Sequence, residues 1–82
     1  MELINQEDDK GNREGLWKGY YSNGKKQFEA TYKGGSLHGP VTYYNHNETI
    51  FFKGTYEMYN AVGLWIHYHT DGTYRNTIFY AR

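Results

Sequence analysis

The sequence predicts an all-β protein, an elongated, twisted antiparallel sheet of stacked β-hairpins with about six strands, and three observations carry that expectation. Over residues 15–82, Tyr, Phe, Thr, Gly and Asn dominate and alternate with a period of two, and no window rich in Ala, Leu, Glu and Lys supports a helix. Asn23-Gly24 and Asp71-Gly72 interrupt that alternation with hairpin-turn dipeptides. The pattern also repeats. Gly15, Gly39 and Gly63 stand 24 residues apart, and Trp17, Val41 and Trp65 follow them in phase. Tyr20, Tyr44 and Tyr68 fall together, as do Phe28 and Phe52, and then Tyr32, Tyr56 and Tyr80. A fixed period of roughly 20–50 residues marks a repeat architecture, in which one supersecondary unit buries its apolar face against copies of itself.

Each element follows from that period. Residues 15–38, 39–62 and 63–82 form three units of two strands and a turn, with each glycine marking where a hairpin restarts. In the first unit, Leu16 to Tyr21 runs into the turn Ser22-Asn23-Gly24-Lys25, and Lys26 to Lys33 returns. Gly34-Gly35-Ser36 leads into the second unit, where Pro40 to Tyr44 and Ile50 to Glu57 flank Asn45-His46-Asn47-Glu48. That turn lacks the glycine of its counterparts and is expected to be longer or differently shaped. The third unit has Leu64 to His69, a turn at Asp71-Gly72, and Thr73 to Tyr80. Alternate residues of a strand share a face, so Phe28, Ala30 and Tyr32 lie together, as do Phe52, Gly54 and Tyr56, and Asn76, Ile78 and Tyr80. The small residue between two rings leaves room for an aromatic from the next strand. Gln27, Glu29 and Thr31 read as the solvated side. Trp17 and Tyr20 recur with opposite parity, so either a bulge unites them or both faces carry packing.

Residues 1–14 form an acidic N-terminal leader or a capping strand, with Leu3-Ile4-Asn5-Gln6 the candidate for an extra edge strand. Glu2, Glu7, Asp8, Asp9 and Glu14 outweigh Lys10 and Arg13 there, whereas the remainder is mildly basic and the whole chain carries net charge 0. An acidic arm of this kind reads as a solvated leader, or as a segment that docks on a basic partner or folds over the sheet. The basic excess of the body is too small to argue for nucleic acid. With 82 residues the chain makes one small domain with a marginal core. It contains no Cys, hence no disulfide framework, thiolate metal site or cysteine nucleophile. No apolar stretch follows Met1 as a secretion signal would, and none reaches the ~18 residues of a membrane span, so a cytoplasmic protein without stable membrane insertion is expected.

Gly15-Leu16-Trp17, followed by Tyr20-Tyr21-Ser22-Asn23-Gly24-Lys25, Glu29, Tyr32 and Lys33-Gly34, with Gly39 restarting the cycle, resembles the MORN-repeat variant of small bacterial and phage proteins. The third unit follows the pattern through Gly63-Leu64-Trp65, Tyr68 and Asp71-Gly72, while the middle unit departs from it at Val41 and Asn47-Glu48. The resemblance implies stacked hairpins with an aromatic-lined groove and a protein-binding role. Some members act as antitoxins or immunity-type partners of toxins, and longer eukaryotic relatives are linked to membrane attachment and scaffolding. It carries no catalytic residues with it.

The chemistry-bearing residues do not assemble into a site on sequence grounds. His67 and His69 stand two apart with Asp71 beyond, but two ligands need a third, such as His46, and no metal or other cofactor is expected. Ser22 and His46 occupy matching turn positions with no acid to orient the histidine. Glu29 and Glu48 share no phase, and Gly34-Gly35-Ser36 lacks the Lys and helix of a phosphate loop. Rings among lysines could stack on single-stranded nucleic acid, yet rings recurring in phase are what packing of the repeat itself demands. The expectation is therefore a non-enzymatic module that binds another protein, an antitoxin, immunity protein or phage-encoded inhibitor acting on a toxin or defence enzyme. Its contact set would be Trp17, Tyr21, Tyr43, Trp65 and His67, with Tyr20, Tyr44 and Tyr68 supporting from the opposite face. The positions where a unit departs from its repeat, Val41, Tyr43, His67 and Asn47-Glu48, are the expected seat of specificity. The alternative is a membrane-surface or scaffold attachment module, and self-association through free edges is compatible with either.

Overall fold

A computed structural model describes residues 3–81. They form a seven-stranded antiparallel sheet in which every strand pairs with its sequence neighbours, in the order β1 to β7. The strands are β1 (Gln6–Glu7), β2 (Arg13–Tyr20), β3 (Lys26–Lys33), β4 (Ser36–Tyr44), β5 (Ile50–Glu57), β6 (Asn60–Tyr68) and β7 (Tyr74–Tyr80). Among the described residues there is no helix, and the all-β expectation holds, with one short strand more than the six anticipated. The extra strand is Gln6–Glu7, which pairs with Arg13 and Glu14. Principal extents of 41 × 37 × 20 Å make a slab one sheet thick, because a stack of three units grows about as wide as its strands are long.

The 24-residue period is legible in the backbone. Three loops have one geometry: the N–H groups of Tyr21, Asn45 and His69 bond to the carbonyls of Lys25, Thr49 and Thr73, each at 2.8 Å. The middle loop is therefore neither longer nor differently shaped, contrary to the expectation from its missing glycine. Glu48 takes the left-handed conformation, φ 73°, that Gly24 and Gly72 take at 85° and 89°. The flanking strand register imposes the conformation, and a side chain bears strain of about 1–2 kcal/mol that glycine avoids. At the other end of the sheet, Met58 and Tyr59 replace Gly34 and Gly35 in a two-residue turn with positive φ at both positions. These turns are knitted together by the same spacing. Gly35 N–H bonds to the Arg13 carbonyl and Tyr59 N–H to the Leu37 carbonyl, while the Tyr59 hydroxyl reaches the Gly35 carbonyl at 2.7 Å.

One further correction and one open alternative concern the strands. Gly15, Gly39 and Gly63 lie inside β2, β4 and β6 rather than where hairpins restart. All three have positive φ, and Gly39 and Gly63 coincide with irregularities in the ladders β3–β4 and β5–β6. The opposite parity of Trp17 and Tyr20 is also resolved. A bulge recurs at Gln27, Phe51 and Arg75, each an extra residue opposite Gly19/Tyr20, Tyr43/Tyr44 and His67/Tyr68. It pairs Tyr20 with Lys26 and Tyr44 with Ile50, and does not bring Trp17 and Tyr20 together: both faces carry packing.

Ala30, Val41 and Trp65 are the buried residues, with Phe28, Tyr32, Leu37, Phe52, Tyr56 and Ala61 packed against them. Cross-strand pairing puts Trp17 opposite Ala30, Ala30 opposite Val41, Val41 opposite Gly54 and Trp65 opposite Ile78, so one face holds the core. Small and large residues alternate across it because the rings need the space. A Cβ built on Gly54 would overlap the Trp65 ring, and one on Gly19 would overlap Phe28.

Candidate functional site

The core face is paved by two rows of rings. Nearer the three loops, Phe28, Tyr43 and Phe52 stack in succession, with centroids 5.8 and 4.7 Å apart, and Phe52 meets His67 at 5.7 Å. Nearer the two-residue turns, Tyr56 and Tyr80 set their rings edge-on to Trp65 at 5.0 and 6.0 Å, and Trp17 meets Tyr32 at 6.2 Å. These offset and edge-to-face arrangements satisfy the ring quadrupoles and add about 0.5–1.5 kcal/mol per pair to area burial. The Arg13 guanidinium lies 4.3 Å from the Trp17 ring centroid, closing the row at the β1 side.

The anticipated contact residues separate on this surface. Tyr43 and His67 are half-buried on the ring-lined face and bring their rings to Phe52. Trp17 lies on the same face, half-buried, with its indole N–H donating to the Gln6 carbonyl at 3.0 Å. Trp65 is 5% exposed and belongs to the core, its indole N–H buried without an acceptor among the described residues. The two tryptophans share a phase but not an environment, since Trp65 receives rings from strands on both sides. Val41 is likewise buried at 2% and is a packing residue. Tyr21 is not on the strand face with Trp17, because β2 ends at Tyr20. It lies in the first loop, stacked on His46 at 3.8 Å with its hydroxyl donating to the Tyr44 carbonyl at 2.6 Å. The middle loop is tied onward in turn, the Asn47 amide and the Thr49 hydroxyl both donating to the Thr70 carbonyl. Asn47-Glu48 is thus a link between loops.

The opposite face has its own network, which sequence reasoning passed over by treating Glu29 as solvated. The Tyr44 hydroxyl donates to Glu29 Oε1 at 2.7 Å, and Lys18 Nζ and Lys26 Nζ stand 3.8 and 3.5 Å from the Glu29 carboxylate. The Tyr44 hydrogen bond, with the two lysines, holds Glu29 below the usual carboxylate range. Burial, with the carboxylate as hydrogen-bond acceptor, pushes Tyr44 up to about 12, so it remains a donor at neutral pH. Lys26 sits 5.4 Å from the Tyr44 ring and Lys53 5.9 Å from the Tyr68 ring, whereas Tyr20 is mostly exposed. The signal for this network was the β3–β4 register, in which Glu29 pairs with Thr42 and Tyr44 follows two residues on along the same face.

No group of three or more metal-ligating side chains converges among the described residues. His69 lies beyond the end of β6, in the third loop beside Asp71, whose carboxylate accepts from Thr73. A concavity of about 600 Å³ between β6 and β7 is lined by Asn60, Ala61, Val62, Tyr80 and Ala81, with no acid–base pair. No helix of the described residues is long and apolar enough to cross a membrane.

Stacked hairpins of one length, a shared loop geometry and a single paved face define a small all-β repeat module. Residues 13–33, covering β2, the first loop and β3, match the family model of the MORN repeat variant, so the resemblance carried by the first unit is borne out there. Modules built of this repeat are typically non-catalytic. Neither a curated protein nor a solved structure matches the chain.

Proposed function

We propose that this chain is a non-enzymatic protein-binding module whose ring-lined face, centred on Tyr43 and His67, receives a partner protein and blocks its activity in the manner of an antitoxin, immunity protein or phage-encoded inhibitor. One observation carries the reading. Among the described residues the sheet is a single layer, and nothing covers the row Phe28, Tyr43, Phe52 and His67 on its outer side. Half-buried aromatic residues on a preformed surface are the typical anchors of protein interfaces, because they contribute large contact area for little loss of rotamer freedom. The family match to residues 13–33 supports the same class of role, which extends to membrane surfaces in related repeats.

Affinity capture from the native host tests the proposal. The wild-type chain should retain a partner and inhibit its activity, and the double variant Tyr43→Ala/His67→Ala should lose both while keeping its circular dichroism spectrum. Sedimentation with anionic vesicles addresses the membrane-surface reading. Salt-sensitive binding to vesicles without a protein partner would replace the proposal with that alternative.

A further inference from the structure

The two edges of the sheet are finished differently. At the β2 edge, Asn5 occupies the hydrogen-bonding positions an incoming strand would use. Its N–H donates to the Leu16 carbonyl at 2.9 Å, its side-chain Oδ1 accepts from Lys18 N–H at 2.8 Å, and its Nδ2 donates to the Lys18 carbonyl at 3.2 Å. Asn5 adopts φ 56° to do so, a conformation asparagine tolerates better than most residues. At the other edge, β7 pairs with β6 alone among the described residues. It contains no Pro, no Lys and no acidic residue, its one charge and its bulge both fall at Arg75 near the start of the strand, and every residue of it is exposed. Phe79 is 68% exposed and Leu64, its partner across the β6–β7 ladder, 61%.

The register fixes which backbone groups β7 offers. Leu16 and Lys18 turn theirs outward, toward Asn5. Leu64 and Ile66, in the same phase on β6, turn theirs toward β5, so Thr77 and Phe79 opposite them turn theirs to the open edge. Two outward residues separated by Ile78 form a self-complementary template. A two-fold axis at Ile78 sets Thr77 of one copy opposite Phe79 of the other in two hydrogen-bonded pairs, with the two Ile78 side chains facing each other on the ring-lined side. In that register the two Arg75 side chains lie at opposite ends of the strand pair.

We propose that β7 is a homodimerisation edge, joining two copies antiparallel about Ile78 into one continuous sheet. A closed two-fold pairing is self-limiting, whereas β7 of one copy adding to β2 of the next would generate an open filament. Asn5 obstructs that second route. The dimer continues the ring-lined face across the axis and covers Ile78 and Phe79, 38% and 68% exposed in the single copy.

Light scattering and sedimentation of the 82-residue chain over a wide concentration range should give a reversible species of twice the 9.7 kDa mass. Thr77→Pro should leave only monomer with an unchanged circular dichroism spectrum, since the register turns the Thr77 N–H to the open edge and away from β6. Because the chain has no cysteine, Ile78→Cys supplies a single reporter, and mild oxidation should convert the dimer to a covalent one. A wild-type chain that stays monomeric would overturn the proposal and leave the edge to a different protein's strand. A dimer that survives Thr77→Pro, or that fails to cross-link through Cys at position 78, would assign self-association to another surface and overturn it equally.

Discussion

Strands β3 and β7 hold the same position in the repeat, yet β3 is packed and β7 is bare. The middle of the core face is Ala30 in one, 2% exposed, and Ile78 in the other, 38% exposed. The larger and more apolar residue is the less buried. Burial in this sheet is set by the number of neighbouring strands and the rings they contribute, and not by residue type. Ala30 is flanked by Trp17 and Val41, whereas Ile78 faces Trp65 on one side only. A strand of the stack thus acquires its core from the next unit.

Substitutions can break that contrast, starting with the residue that has most neighbours. Trp65→Ala should destabilise the fold by about 3–5 kcal/mol. That approaches the whole stability of a chain this size, roughly 4–12 kcal/mol at ~0.05–0.15 kcal/mol per residue. Denaturant unfolding followed by circular dichroism measures it, and a smaller loss than for the half-buried Trp17→Ala would contradict the ranking. Next, Ala30→Ile should cost about 1–3 kcal/mol through overpacking. Ile78→Ala, in dilute solution, should cost less than the ~2 kcal/mol at which fully buried Ile→Ala changes begin. A reversal of these two would show that residue type outweighs strand position. The smallest effect sharpens the comparison by inverting it. The loop entering bare β7 has the relaxed Gly72, while the loop entering packed β5 carries Glu48 at φ 73°. Glu48→Gly should therefore stabilise by about 0.5–1 kcal/mol, relief of left-handed strain offset in part by unfolded-chain entropy. A thermal melt showing loss of stability would contradict the strain.

Much of this architecture could be read from the residues. Phe28, Ala30 and Tyr32 share a face by alternation, Gly54 makes room for a ring, and Asn23-Gly24 and Asp71-Gly72 turn where they should. What escaped reading was imposed by neighbours. Glu48, Met58 and Tyr59 adopt glycine's conformation because their flanking strands are already in register, a tertiary demand that local propensity does not reveal. Trp17 and Trp65 look equivalent in the chain, and only the strand beyond each decides which is core. Alternation places Tyr21 on a strand face, but β2 ends one residue earlier, at Tyr20. The Glu29–Tyr44 pair depends on the register of β3 on β4, Glu29 against Thr42, which composition does not reveal.

The bulges at Gln27, Phe51 and Arg75 have a consequence for how the chain can go wrong. A plain antiparallel meander can slide by two residues and keep each side chain on its own face. Here such a slide would set each extra residue against an ordinary pair and leave the irregularity on the partner strand unmatched. Only a displacement of a full 24 residues restores every match, skipping one hairpin and ejecting it as a loop. The repeat acts like the teeth of a ratchet: it forbids small errors and leaves the omission of a whole tooth as the remaining mistake.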